Sequence, residues 1–393
     1  MSPDVAVAFL VQAGLLNARD VVEGALCATE LRGRNCNLSV ETTNGPNYFL
    51  KQATQADDFR LVRTEAWVYQ RARSDDSWAG LRPWLPTLVT YDEGRATLVT
   101  ALSPQSCDVL DLLKDDQEFD LPDIGTLLGR ALGACHRVPV AAPGLLGTPL
   151  LTPRTPWALR GMHRPNPGLL GDVWPAQLEV LSALQRHPVA ETALARMAEG
   201  WNPDSLVHGD VKFQNLVALT AAPETDDAAT GAPLLPRRDQ PRDSAAAITG
   251  LQLVDWELAA AGDPAWDVGS VFQSYLWYAV HLVSIAQGAT AANAAPKLAV
   301  LLPHVQRHLR EFWLAYRGAG SLSTADAEAL LGRATEFAGA RLLQTAFETA
   351  AGEQRPGRLS AGCLQIGLNI LERPAEALRH VIGLGSTGSE RRP

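Results

Sequence analysis

Eight consecutive residues, His208-Gly209-Asp210-Val211-Lys212-Phe213-Gln214-Asn215, and the later run Leu253-Val254-Asp255-Trp256-Glu257 constrain this chain more than any other feature. An Asp that orients or deprotonates a hydroxyl, followed five residues on by an Asn able to hold a metal, suits one loop that grips a nucleophile and a divalent cation together. Asp255 closes an apolar run that reads as a buried strand, where it can supply a second metal ligand. Loose phosphoryl transfer asks a protein mainly for position and for cancelled charge, so a Lys, an Asn and two acids suffice. Alone, HGD could be an ordinary turn with its His bonded to backbone. Placed before an apolar strand ending in Asp, and after a Lys and a Glu in the matching order, it points to that chemistry.

Read from the start, residues 3–13 put Val5, Phe9 and Leu10 at helical spacing, Gly14 stops them, and Asn17 can cap a second short helix. These helices are expected to back the first sheet. From Ala28 the pattern turns to short strands: Thr29–Leu31, a Gly33–Cys36 turn, Asn37–Thr42, an Asn44-Gly45 hairpin signal, and Tyr48–Gln52. A helix over about 57–73 follows, with Phe59, Val62, Ala66 and Tyr69 as its apolar stripe, then strands at Leu88–Tyr91 and Thr97–Leu102. Beyond Leu102 the chain is mostly helical, with helices at 108–114, 124–136, 173–200, 302–317, 324–351 and 361–380, and with a frayed tail from Gly383.

The strings HGDVKFQN, VDWE and GDPAWDVGS resemble the aminoglycoside phosphotransferase and choline kinase superfamily, a branch of the protein-kinase-like fold, over most of the chain from about residue 28. That resemblance implies a bilobal α+β fold: a helical extension over 1–27, an N-lobe of antiparallel sheet and one helix over 28–102, and a mostly helical C-lobe over 103–393. It implies ATP and Mg²⁺ in the cleft between lobes. Lys51, at the end of the third strand, would hold the α- and β-phosphates, with Glu65 fixing its ammonium. Gly33 and Asn37 match a G-x-x-x-N phosphate turn, although a plain hairpin turn fits those residues equally. The backbone of Ala101, Leu102 and Ser103 falls where adenine would bind. Asn215 and Asp255 would hold metal, Asp210 would align the acceptor hydroxyl, and Lys212 would neutralise the moving phosphoryl group or else point outward into solvent. His136 and Asp267 are read as structural support, Asp267 capping the helix that follows it and bonding the catalytic-loop backbone.

Substrate is less constrained. GRNCNLSVETTNGPNYFLKQ combined with HGDVKFQN is similar to the kinase-like components of class V lanthipeptide and thioamitide pathways, which implies a Ser/Thr acceptor in a ribosomal precursor peptide and a separate lyase as partner. Two alternatives stay open: a small-molecule kinase for an aminoglycoside, macrolide or choline-like alcohol, and a pseudokinase that captures peptide. Arg154, Arg160, His163 and Arg164 are candidate acceptor contacts, or a solvated basic loop.

Composition narrows the rest. A length of 393 residues allows a sizeable core and two lobes, and a formal charge of −9 gives no general attraction to nucleic acid or to anionic membrane. Cys27, Cys36, Cys107, Cys135 and Cys363 have no metal-type spacing, so free thiols in a reducing cytoplasm are expected. No signal peptide or membrane span is read. Residues 220–250 are rich in Ala, Pro and Asp and cannot form a core of their own, so a mobile insertion is expected there. Pairing of Leu216-Val217 with Gln252-Leu253 would keep Asn215 and Asp255 close despite it. Only four lysines occur, and two of them, Lys51 and Lys212, fall in motif positions.

Overall fold

The computed structural model describes residues 1–31, 33–103, 105–115, 123–140, 151–162, 164–165, 173–221, 247–286, 288, 290–320 and 322–385. The fold is mixed α+β, with an antiparallel sheet in the N-terminal region and a mostly helical C-terminal part. Two compact units are formed: Met1–Gln117 with Gln214–Ala259, and Glu118–Phe213 with Ala260–Pro393. His163, the 222–246 stretch and the tail from 386 lie outside the described residues.

In the first unit, β1 (Leu26–Leu31), β2 (Cys36–Thr42), β3 (Asn47–Gln52), β4 (Leu88–Asp92) and β5 (Thr97–Leu102) form one antiparallel sheet in the order β1-β2-β3-β5-β4. Strand alternation sorts its faces. Leu38, Val40, Tyr48 and Leu50 turn to one side and pack with Ala6, Val7, Phe9 and Leu10 of helix α1 (Pro3–Gln12), so that helix backs the sheet as the sequence indicates. Lys51, one residue out of phase, belongs to the other side, directly opposite Asn37 in the register. Val5 is the exception in α1: it is exposed, and Ala6 and Val7 take its place in the core. Asn17 stands at the N-cap of the short helix α2 (Ala18–Val22), but its side chain makes no capping hydrogen bond.

The β2–β3 connection runs over residues 43–46, not through a two-residue turn at Asn44-Gly45. Pro46 has no N–H to give a tight hairpin. The loop is closed by side chains instead: Gly45 N–H donates to Thr42 Oγ1 at 2.9 Å, and Thr42 N–H to Asn47 Oδ1 at 2.8 Å. Helix α3 (Ala56–Ser74) buries Val62, Glu65, Ala66, Val68 and Tyr69, whereas Phe59, expected in its apolar stripe, is exposed and its neighbour Asp58 takes the buried side of the first turn. After β6 (Ser106–Asp108) comes helix α4 (Val109–Asp115). β6, β8 (Leu216–Thr220) and β9 (Ile248–Leu253) make a second, three-stranded sheet. Leu216 pairs with Leu253 and Val217 with Gln252, the register the sequence suggests.

The second unit is built on helices α5 (Ile124–Cys135), α6 (Trp157–Arg160), α7 (Pro175–Gln185), α8 (Pro188–Glu199), α9 (Pro264–Ile285), α10 (Ala291–Gly320), α11 (Thr324–Thr349) and α12 (Arg358–Glu372). The helix expected over 173–200 is two helices, because Pro188 has no N–H for the ladder and starts a new turn. Helix α10 begins well before residue 302 and carries Pro296 and Pro303 inside it. Gly125, Gly129 and Gly133 let α5 approach α10 closely: a Cβ at Gly129 would stand 2.4 Å from Phe312 O. Helix α9 is buried along most of its length and packs on α11, where a Cβ on Gly269 would meet Ala334 O at 2.6 Å. A short ladder of β7 (Ser205–Val207) with β10 (Ala260–Gly262) leads directly into His208. No helix among the described residues is long and apolar enough to cross a membrane. The five cysteines form no disulfide.

Candidate functional site

Lys51 occupies the centre of a buried charge cluster in the first unit. Its Nζ donates to Glu65 Oε2 at 2.8 Å, lies 3.1 Å from Glu257 Oε2, and also bonds Asp255 Oδ1. Burial works against the ammonium charge, but Glu65, Asp255 and Glu257 outweigh it and push its pKa well above the ordinary lysine value. Glu65 is the anchor. Its other oxygen accepts from Tyr69 Oη at 2.8 Å and from the Asp255 backbone N–H at 3.1 Å, so one carboxylate on α3 fixes both Lys51 and the start of the VDWE turn.

Asp255 follows β9 and adopts φ 66°, ψ 53°, left-handed backbone that a short polar side chain tolerates better than most. Asn215 is buried at the start of β8, and its carbonyl accepts from Val254 N–H at 3.0 Å, which stitches the two strand ends together. The sequence-predicted metal pair is therefore held at the adjoining ends of neighbouring strands, just outside each. Glu257, quoted within VDWE but given no role there, joins this cluster. It bonds Arg34 and accepts from Asn35 Nδ2 at 3.3 Å, tying the β1–β2 turn to the VDWE segment. Burial, set against the charge of Lys51, raises its pKa.

Gly33 and Asn37 come together in that turn: a Cβ on Gly33 would lie 2.4 Å from Asn37 Nδ2. The backbone positions expected beside adenine, Ala101, Leu102 and Ser103, are partly committed elsewhere. Ala101 N–H donates to Thr87 O at 2.9 Å, Ser103 O accepts from Ser106 N–H at 3.1 Å, and Leu102 pairs across from Asn47.

The loop residue Asp210 belongs to the second unit, where it is gripped by two cations. Lys212 Nζ donates to Oδ2 at 2.6 Å and Arg341 Nη2 to Oδ1 at 3.0 Å. Burial alone would raise this carboxyl; Arg341 and Lys212 overcome that and hold its pKa at about 2. Asp210 is consequently a weak base, suited to orienting a hydroxyl more than to removing its proton.

The loop itself hangs on Asp267. This fully buried carboxylate accepts from His208 N–H at 2.7 Å and from Gly209 N–H at 3.0 Å, and it lies 3.3 Å from His136 Nε2. His136 in turn pairs through Nδ1 with Tyr316 Oη at 2.8 Å. The helix cap assigned to Asp267 is made by Asp263, whose Oδ1 accepts from Ala265 N–H at 2.9 Å; Asp267 stands inside the first turn and faces the loop. Arg154, Arg160 and Arg164 are exposed.

Arg341 was not legible: it lies 131 residues from Asp210, on a helix whose pattern is ordinary. Glu257 had a signal, being an acid two residues after Asp255.

Among the described residues no group of three or more His, Cys, Asp or Glu is arranged to hold a metal. A Mg²⁺ ion needs no such cage, since it takes hard oxygen ligands and commonly keeps only one or two protein groups beside water and substrate phosphates. The oxygen donors of Asn215 and Asp255 fit that demand.

Residues 31–224 match the family described as phosphotransferase enzyme family. No curated protein matches the sequence. Among solved structures, the chain is similar to a choline kinase from Cryptosporidium parvum Iowa II at 11% identity and TM-score 0.53, covering 98% of this chain and 99% of that one. It is similar to the macrolide 2'-phosphotransferase MphH from Brachybacterium faecium at 17% identity and TM-score 0.47, with 94% and 98% covered. A choline kinase, LicA, from Streptococcus pneumoniae matches at 14% identity and TM-score 0.46, again with 94% and 98% covered. The likeness to the Cryptosporidium enzyme shows a shared fold, and the family match supports a phosphotransferase.

Proposed function

We propose that the chain is an ATP- and Mg²⁺-dependent phosphotransferase acting on a hydroxyl. The observation that carries this reading is the state of Asp210, a partly buried carboxylate kept ionised by Lys212 and Arg341 in a loop anchored on Asp267. A carboxylate so held accepts a hydrogen bond from a hydroxyl and aims its oxygen. That oxygen bonds the γ-phosphorus as the bond from γ-phosphorus to the β–γ bridging oxygen breaks, ADP leaves with those electrons, and the hydroxyl proton passes to an oxygen of the transferred phosphoryl group.

Lys51 has three N–H donors and faces three carboxylates. On nucleotide binding it exchanges Asp255 for phosphate oxygen while Glu65 keeps it in place. Asp255 and Asn215 would hold Mg²⁺, which would supply neutralisation of charge on the phosphate oxygens. Asp210 and Asn215 are five residues apart on one continuous stretch, so the hydroxyl-orienting group and a metal ligand share a short piece of chain.

For the acceptor we favour the Ser/Thr hydroxyl of a ribosomal precursor peptide, phosphorylated ahead of phosphate elimination by a separate lyase. Support comes from the likeness of GRNCNLSVETTNGPNYFLKQ to lanthipeptide and thioamitide kinases, and from two cations flanking Asp210, which disfavour a polycationic acceptor beside the reacting hydroxyl. The match at residues 31–224 suits a small-molecule acceptor equally, so one assay presents both. Purified protein with labelled ATP and Mg²⁺ is given a Ser/Thr-rich peptide, choline, an aminoglycoside and a macrolide. Label on the peptide is the expected result, label on a small alcohol replaces the acceptor assignment, and no label on anything supports a pseudokinase. Asp210→Asn lowers turnover by about 10²- to 10⁴-fold while sparing ATP binding; full activity in that variant refutes the role given to Asp210.

A further inference from the structure

Two cations hold Asp210, and they differ in kind. The Lys212 side chain is 38% exposed, ends a flexible stem and has Asp210 as its ion-pair partner. The Arg341 side chain is 5% exposed and is held on several sides. Its Nη1 donates to Gln344 Oε1 at 3.0 Å, its Nη2 to Asp210 Oδ1 at 3.0 Å, and its guanidinium lies over the Trp266 ring, 5.5 Å from the centroid. Trp266 Nε1–H donates to Gly209 O at 3.0 Å. Guanidinium, indole and catalytic-loop backbone therefore form one frame, with Trp266 bonded to the residue that precedes Asp210.

We infer that Arg341 is a positioning residue that fixes Asp210 in its working orientation when Lys212 leaves it for the transferring phosphoryl group. This inference rests on the phosphotransferase reading above. Lys212, on a flexible stem, can turn towards charge developing on the phosphoryl group. The χ2 torsion of an Asp carboxylate is broad, and Arg341 restrains it as Lys212 turns. It can do so because its guanidinium lies over Trp266 and is bonded to Gln344 as well as to Asp210. The expected division of labour is that Lys212 moves during turnover and Arg341 does not.

The test uses the full chain and ATP hydrolysis with water as acceptor, so that no acceptor need be identified. Wild type, Asp210→Asn, Arg341→Met and Arg341→Lys are compared for kcat, KM for ATP and ATP affinity. Arg341→Met is expected to lower kcat by about 10- to 100-fold with KM and ATP affinity within about twofold of wild type, as for an interaction used in the transition state and not in nucleotide binding. Arg341→Lys keeps the charge without the fork, so its kcat should fall between the two, about 3- to 10-fold below wild type. A merely structural role would instead lower the amount of active protein and leave kcat per folded molecule unchanged. Arg341→Met with wild-type kcat overturns the inference; should that variant not fold, Arg341→Lys with wild-type kcat does so. Wild type that hydrolyses no ATP, or Asp210→Asn with full activity, overturns the phosphotransferase reading and Arg341's part with it.

Discussion

Replacing Lys51 by Met leaves the carboxylates of Glu65, Asp255 and Glu257 around a site from which the ammonium has gone. In the wild type Lys51 lies 2.8 Å from Glu65 and 3.1 Å from Glu257 and is bonded to Asp255 as well, at 5% exposure. Removing one partner of a single buried ion pair costs about 3–5 kcal/mol, and three carboxylates share this cation, so the loss belongs at the upper end, about 5 kcal/mol. For a unit of this size each kcal/mol is worth about 2–4 °C, which places the melting transition of Lys51→Met about 10–20 °C below wild type near neutral pH. The pH dependence has a definite sign. Burial already raises Glu257 above its ordinary value with Lys51 present, and loss of the ammonium beside it raises Glu257 further. Acids whose folded pKa exceeds the unfolded value bind protons more tightly when folded, so the deficit is full above the folded value and disappears below the unfolded one. The gap to wild type should therefore shrink as pH falls towards the carboxylate range, and millimolar Mg²⁺ should shrink it at neutral pH by replacing the lost charge. Calorimetry across pH, with hydrogen exchange on Asn47–Gln52 and Ala56–Ser74 to localise the effect, measures both. A drop smaller than about 3 °C, far below the range that scaling allows, or a gap that widens on acidification refutes the account of the cluster.

Asp210, held at about 2, stays ionised throughout any ordinary assay range; the stability linked to it is present above the unfolded carboxylate value and is lost only as pH falls through about 2. The phosphotransfer rate should consequently show no acid limb from Asp210 above about pH 4, and a pH–rate profile with such a limb near neutrality contradicts this. Asp267→Ala strips the acceptor from the His208 and Gly209 N–H groups and should cost about 2–4 kcal/mol in urea denaturation, an unchanged midpoint being the contrary result. Asn215→Ala should raise the Mg²⁺ concentration for half-maximal transfer by about 10-fold or more, and an unaltered Mg²⁺ titration removes Asn215 from the metal assignment.

What the chain's own order of residues determined is local. Alternation places Lys51 out of phase with Tyr48 and Leu50, the apolar runs of β8 and β9 select the Leu216–Leu253 pairing, and the spacing within HGDVKFQN fits an Asp and an Asn on one loop. Those features repeat with a backbone period or lie within one turn, so they can be read before any folding is known. Only the tertiary structure decided that Arg341 reaches Asp210, that Glu65 bridges Lys51 to the Asp255 backbone, that Glu257 fastens Arg34, and that a stripe of glycines brings α5 onto α10. Each of these contacts joins segments far apart in sequence, and no periodicity specifies its partner. The meeting of the two groups depends on how whole helices and strands pack, which is set by the sum of many side chains and not by the two residues that touch.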